Sequence, residues 1–284
     1  MRKARVVSGQ ANPLRRFHAD GVAKAAFVRA GFFAIAKQYD RLTRVFSFGL
    51  DGRWRRSVIE LCGLHPGDRL LDIATGTGEL ALAAGRRVAP AGLVAGLDFC
   101  QPMLEEGRRK GQDQRGSHLA WVLGKAEELP FHQETFDCVT MGFALRHVLD
   151  VRATLREMAR VIRPGGRVVV LEFTRPERRS LKALYYLYLF GLLPGLVWLA
   201  SRDRQIYTLT RYFPRTIRHF LPRERLAAAF AGAGFGGVEI RPLAGGVVSV
   251  IAARKRVRVR AFRRETDRRG RGLGPREGAP GLLA

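Results

Sequence analysis

Arg69-Leu-Leu-Asp72-Ile-Ala-Thr-Gly76-Thr77-Gly78-Glu79-Leu80 decides the fold. A short apolar run ends in a Gly-x-Gly turn and passes into the helix-like stretch Glu79–Val88. That is a strand, a tight turn and a helix, the first unit of a βα alternation. Glycines at such a turn let backbone come close to a bound small molecule. Further strand-like runs follow at Leu93–Asp98, Ala120–Gly124, Phe136–Gly142 and Gly166–Phe173. Helix-like runs lie between them at Pro102–Lys110 and Val151–Ile162, the latter with Leu155, Met158, Ala159 and Ile162 at helical spacing. Two last strand candidates, Val238–Leu243 and Val247–Ala252, flank Ala244-Gly245-Gly246, a hairpin signal. The expected architecture is therefore α/β: a doubly wound, Rossmann-like sheet with a C-terminal antiparallel hairpin.

The carboxylates around the turn carry the ligand reading. Gly76-x-Gly78-x-x-Ala81 loosely fits a dinucleotide fingerprint. Asp72, on the strand, is placed to face a cationic ligand, and Glu79 opens the following helix, where a pyrophosphate would meet it unfavourably. A cationic sulfonium cofactor tolerates both. Asp98 ends the second strand, where a carboxylate can accept hydrogen bonds from the ribose hydroxyls of an adenosine. That geometry serves a nicotinamide dinucleotide and S-adenosylmethionine alike.

The chain has 284 residues and a net charge of +25, from 50 Lys and Arg against 25 Asp and Glu. The excess favours an anionic partner, a nucleic acid or an anionic membrane surface. Cys62, Cys100 and Cys138 form no metal-type spacing and no disulfide framework, which fits a reducing cytosol. No secretory signal is visible at the basic N-terminus. Residues 1–29 read as a basic arm, 30–255 as the folded domain, and 256–284 as a basic, disordered tail. Within the domain, an apolar insertion spans about 180–220. Its stretch Ala183–Ser201 is nineteen uncharged residues, long enough to cross a membrane. A crossing would strand the last hairpin away from its sheet, and Pro194-Gly195 is expected to break the segment. It reads as a lid over a lipid-tail site, with Arg175, Arg178, Arg179, Lys182, Arg202 and Arg204 placed to rest on anionic headgroups.

Longer stretches resemble one family. Ser47-Phe-Gly49, Leu71-Asp72-Ile-Ala-Thr-Gly76-Thr77-Gly78, Gly96-Leu-Asp98, Ala126-Glu127-Glu-Leu-Pro130-Phe131, Phe143-Ala-Leu145-Arg146-His147-Val148 and Leu171-Glu172-Phe173 are similar, in order, to the ubiquinone/menaquinone biosynthesis C-methyltransferases. These are class I S-adenosylmethionine-dependent methyltransferases, and the resemblance covers roughly residues 33–255. It implies a class I methyltransferase sheet, S-adenosylmethionine as cofactor and no metal. It also implies carbon methylation of a demethylated polyprenyl quinol, with the insertion covering the substrate.

Carried over, the cofactor contacts fall on Thr77, Asp98, Lys125, Ala126 and Gly142; the reading of the turn adds Asp72, Gly76 and Gly78, and Tyr39 and Asp40 are placed to close over the cofactor. Lys125 stands where the family has Asp or Asn, and Lys has no acceptor for an adenine amine. Gly142 replaces a common Ser, His147 an Asn, and Thr210 a Tyr. A quinol carbon becomes nucleophilic when a neighbouring hydroxyl loses its proton, so phenolate stabilisation and a base are sought. Arg146 fits the first role; Glu172, at a strand end, and His147 fit the second, Glu172 preferred. Two alternatives stay open: a class I methyltransferase acting on another apolar small molecule or on RNA, and an inactive lipid-binding relative. The expected partners are the prenylated quinol and an anionic membrane surface rather than nucleic acid, in the cytoplasm or peripherally at the inner face of the membrane. A homo-oligomer is left open.

Overall fold

The computed structural model describes residues 21–112, 118–201 and 204–257. Seven strands form one sheet in the order β3-β2-β1-β4-β5-β7-β6. They are β1 Arg69–Ile73, β2 Leu93–Asp98, β3 His118–Leu123, β4 Phe136–Gly142, β5 Ile162–Phe173, β6 Phe235–Leu243 and β7 Val248–Lys255. The first five are parallel, and β7 runs antiparallel between β5 and β6. The strand order reverses between β1 and β4, which opens a crevice at their carboxyl ends.

Alternation along β1 explains the layers. Leu71 and Ile73 pack with Leu155 and Met158 of α6 (Val151–Val161) and with Leu226 and Phe230 of α10 (Arg223–Gly232). Leu70 packs on the other face with Trp54 and Val58 of α3 (Asp51–Cys62) and Leu80 and Ala84 of α4 (Glu79–Val88). Gly107 of helix α5 (Gln101–Gly111) faces the Trp121 ring of β3. A Cβ would fall 2.6 Å from that ring at Gly107 and 2.4 Å at Gly78. Gly78 also has φ of 81°, so this turn position excludes side chains twice over.

A third cluster caps the carboxyl edge of the sheet. It joins α1 (Gly21–Ile35), α2 (Tyr39–Phe46), α7 (Arg179–Leu187), a π turn (Tyr188–Leu192), α8 (Leu193–Ser201) and α9 (Arg204–His219). Of the expected arm, residues 21–29 belong to α1, while 1–20 lie outside the described residues. The tail expected from 256 lies outside them from 258 onward. Pro194 does not break the apolar segment. A proline ring strikes the carbonyl four residues back in a regular α-helix, and the wider π turn just before Pro194 takes up that mismatch. Strands β3 and β5 start earlier than their apolar patterns predict. Ile162 pairs with Phe136 ahead of the Pro164-Gly165-Gly166 irregularity.

Candidate active site

The turn after β1 is held from below. Asp72 is buried, its Oδ2 accepting from Thr75 Oγ1 at 2.6 Å and its Oδ1 from Thr140 Oγ1 at 2.7 Å. The expectation that Asp72 faces a cationic ligand is therefore corrected: both oxygens are engaged under the turn, tying it to β4. Burial raises its carboxyl to about 6, against the pull of those two hydroxyl donors.

Asp98 sits beside the turn at the end of β2. Its Oδ2 accepts from the Gly76 N–H and its Oδ1 from the Cys100 N–H, each at 2.8 Å. Burial raises its carboxyl to about 6 as well; the two N–H groups oppose this and the neighbouring Asp72 adds to it. The cap closes on the turn from above. Thr77 Oγ1 donates to Asp40 Oδ1 at 2.5 Å, and Lys110 Nζ donates to Asp40 Oδ2 at 2.8 Å and to Glu79 Oε1 at 2.5 Å. Helix α2 is thereby latched to the glycine turn. Tyr39, next to Asp40, turns the other way and lines the cavity described below, its ring 6.0 Å from that of Phe32. Lys125 is exposed, and its backbone bridges to Glu128. Ala126 is buried in the sheet's core, and Gly142 ends β4 where a Cβ would lie 3.0 Å from Leu80.

These residues suit S-adenosylmethionine. Gly76 has φ of 57° and open space where a Cβ would stand, so a ligand can approach its backbone. Of the carboxylates around the turn, Asp72 is turned beneath it and Asp40 and Glu79 are paired with Lys110, which leaves Asp98 as the acceptor for a ligand's hydroxyls.

Between cap and sheet edge lies a cavity of ≈ 290 Å³. Its walls are apolar, with Phe32, Tyr39, Phe143, Phe173, Tyr185 and Phe213 among them. Arg146 and His147, from the loop after β4, bring polar chemistry into it. Arg146 is locked in place. Its Nη1 donates to Phe143 O at 2.6 Å and pairs with Glu172 Oε1, its Nε donates to Thr216 Oγ1 at 3.2 Å, and its guanidinium lies 4.6 Å from the Phe213 ring centre. Nη2 has no hydrogen-bond partner among the described residues.

Glu172 corrects a second expectation. It does not line the cavity and is 0% exposed. Its carboxylate accepts from the Arg146 N–H at 3.1 Å, from Arg146 Nη1 and from the Phe173 N–H at 2.8 Å. With its acceptors turned to these donors, it anchors Arg146 and is not placed to take a substrate proton. His147 does line the cavity. Its ring lies 5.8 Å from both Phe32 and Tyr212, and neither ring nitrogen reaches solvent or a hydrogen-bond partner. Burial, then Arg146, then Lys24 hold its pKa well below 6.5, so the imidazole is neutral. Thr216 and Phe213, which orient Arg146, lie outside the stretches that the sequence singled out. Among the described residues no cluster of metal-ligating side chains occurs.

A doubly wound sheet with an antiparallel hairpin and an acidic glycine turn defines a class I S-adenosylmethionine-dependent methyltransferase. Solved structures share the fold. A SAM-dependent methyltransferase from Aquifex aeolicus superposes with a TM-score of 0.56 at 16% identity, covering 78% of this chain and 98% of its own. One from Thermotoga maritima gives 0.54 at 20% identity, covering 80% and 99%. Sequence relatives are nearer. The ubiquinone/menaquinone biosynthesis C-methyltransferase UbiE of Pseudomonas aeruginosa is 40% identical over 228 residues, 80% of this chain and 88% of that protein. The UbiE of Geobacter sulfurreducens is 36% identical over 234 residues, 82% and 90%. The profile of the ubiE/COQ5 methyltransferase family matches residues 21–255, and the chain belongs to that family.

Three outcomes are expected. The Asp98 carboxyl, raised to about 6, must be ionised to accept from ribose hydroxyls. Titration calorimetry should show S-adenosylmethionine affinity falling about tenfold per pH unit below that point, and Asp98→Asn should flatten the dependence at weaker affinity. The sign for stability is opposite. Asp72 and Asp98 both have raised folded pKa values of about 6, so they favour the folded state at low pH and lose that contribution as pH rises through about 6. Arg146→Ala leaves Glu172 buried without its cation and should cost about 3–5 kcal/mol in urea unfolding. Arg146→Met combined with Glu172→Leu should cost clearly less; equal losses would contradict the pairing.

Proposed function

We propose that this chain methylates a ring carbon of a demethylated prenyl quinol, using S-adenosylmethionine. The names of its relatives support the reaction, and the observation that carries the substrate class is the cavity: apolar aromatic walls with one guanidinium and one neutral imidazole side by side. Such walls suit a flat ring with an isoprenoid tail and do not suit a polynucleotide, so RNA is set aside. When bound, S-adenosylmethionine supplies an electrophilic methyl group on a sulfonium; Asp98, the Gly76–Gly78 turn and the Ala126 backbone would hold it.

The protein's part is to make the quinol carbon nucleophilic. His147, where the family has an Asn, turns its buried and unpartnered imidazole toward the bound ring and accepts the hydroxyl's hydrogen bond, which eases loss of the proton. Arg146 offers Nη2 to the oxygen as negative charge develops there. The proton's departure pushes electron density from oxygen to the adjacent ring carbon. That carbon takes the methyl group as its bond to sulfur breaks, and then gives up its own hydrogen as a proton to restore the aromatic ring; one proton in all leaves to solvent. The aromatic walls exclude water and orient the ring, and proximity supplies much of the rate. An oxidised quinone has no hydroxyl proton to give and an electrophilic ring, so only the reduced form should react. The proposed setting is cytoplasmic, at the inner face of the membrane where such quinols reside, with no nucleic-acid partner; a homo-oligomer is not required by the site.

The test is transfer of labelled methyl to a demethylated prenyl quinone with and without reductant. Label should appear on a ring carbon of the reduced form only; equal labelling of the oxidised form would contradict the chemistry. His147→Phe should lower kcat with cofactor affinity unchanged. His147→Asn, which puts back the residue common in the family and accepts a hydrogen bond but not a proton, should keep turnover within about tenfold of wild type; a loss as large as that of His147→Phe would make His147 itself the proton acceptor.

A further inference from the structure

The continuous helix through α7, the π turn and α8 is apolar on two opposite sides. Its inner side sends Tyr185, Leu189 and Leu193 to the cavity wall. Its outer side carries a row of leucines, Leu184, Leu187, Leu192, Leu196 and Leu199, exposed by 63%, 68%, 56%, 51% and 72%. The one wide step in the row, Leu187 to Leu192, falls across the π turn. Trp198 adds a half-exposed aromatic beside it. A helix apolar on both sides calls for a second apolar medium outside the protein.

That medium is not a bilayer core crossed from side to side. Arg179–Leu199 is long and apolar enough for a span. However, β5 before it and β7 after it pair side by side in one sheet, which a crossing would separate. The helix therefore has to lie along a surface. Charge at its start specifies which surface: Arg178, Arg179 and Lys182 are exposed there, on a chain of net charge +25.

The cavity opens onto the same surface. Phe48, in the turn between α2 and α3, is 75% exposed yet also lines the cavity, and its ring lies 5.5 Å from that of Tyr188 in the π turn. Its φ of 52° is a left-handed backbone that few bulky residues adopt, and it holds the ring out at the mouth. A second copy of the chain seated on the leucine row would cover this mouth, whereas a bilayer would feed it.

We propose that the outer side of the α7–π–α8 helix, with Phe48, docks on an anionic bilayer, and that the prenyl tail passes from the bilayer into the cavity between Phe48 and Tyr188. The tail route rests on the quinol reading above; the docking does not. The experiment compares the whole protein with a Leu187→Glu/Leu196→Glu variant, neither residue lining the cavity. Flotation with phosphatidylglycerol vesicles reads docking, and turnover is measured on a long-tailed quinol in those vesicles and on a short-tailed, water-soluble one. The wild type should float, less so as salt rises to about 1 M. The variant should bind vesicles at least about tenfold more weakly and lose turnover of the vesicle substrate by a similar factor. It should methylate the soluble quinol and bind S-adenosylmethionine as the wild type does. Equal flotation of variant and wild type overturns the docking face. So does a wild-type dimer, seen by light scattering, that ignores vesicles and is split by the variant. A wild type that floats but methylates neither quinol supports the docking face and overturns the substrate reading alone.

Discussion

The buried pair of Arg146 and Glu172 is the interaction on which the rest of the site depends. Taking both charges out of water costs several kcal/mol per ion, recovered only when geometry and further hydrogen bonds are good. Here they are. Glu172, at the end of β5, receives two N–H groups from Arg146 and one from Phe173. Arg146 in turn reaches Phe143 O in the loop after β4 and Thr216 on α9. One guanidinium thus ties two strand ends and the cap together, and the loop between Phe143 and Arg146 has no freedom to drift. His147, the next residue, inherits that position and is pressed between rings of α1 and α9.

The cofactor side is organised by the same logic with smaller charges. Asp72 holds the glycine turn from below through two hydroxyls, and Asp40 latches it from above through Thr77 and Lys110. Asp98 lies between, buried beside the turn. Helix α2 therefore serves both halves of the site: Asp40 faces the turn and Tyr39 the cavity. A cap whose own first turn fastens the loop that holds the cofactor couples closure over one ligand to order around the other.

Much of this was legible in the sequence. The strands around Asp72, Asp98 and Gly142 follow from short apolar runs, and the hairpin from its glycines. The roles of the acids were not legible. A carboxylate at a strand end looks the same in sequence whether it is free or paired, so Glu172 read as a base. What decides the matter is Arg146, 26 positions away, and Thr216, 70 positions from Arg146. Asp72 misled for a related reason: its two hydroxyl partners sit on the turn and on a neighbouring strand, and only the parallel register of β1 with β4, Asp72 opposite Thr140, brings one of them in. Pro194 read as a break because helix rules assume α geometry throughout, and the π turn lies outside that assumption. The leucine row was visible as composition, but which residues face out depended on where that turn falls.

The central claim is that Glu172 anchors Arg146 and does not take the substrate proton. It is tested most directly by the pH–rate profile of Glu172→Gln, read alongside its affinity for S-adenosylmethionine. Gln keeps one acceptor oxygen for Arg146 but cannot act as a base. The account predicts unchanged cofactor affinity, turnover within about tenfold of wild type and an acid limb in the same place. A loss of about 10²–10⁴ in turnover with the acid limb abolished, in a variant that still folds and binds cofactor, would make Glu172 the proton acceptor and contradict it.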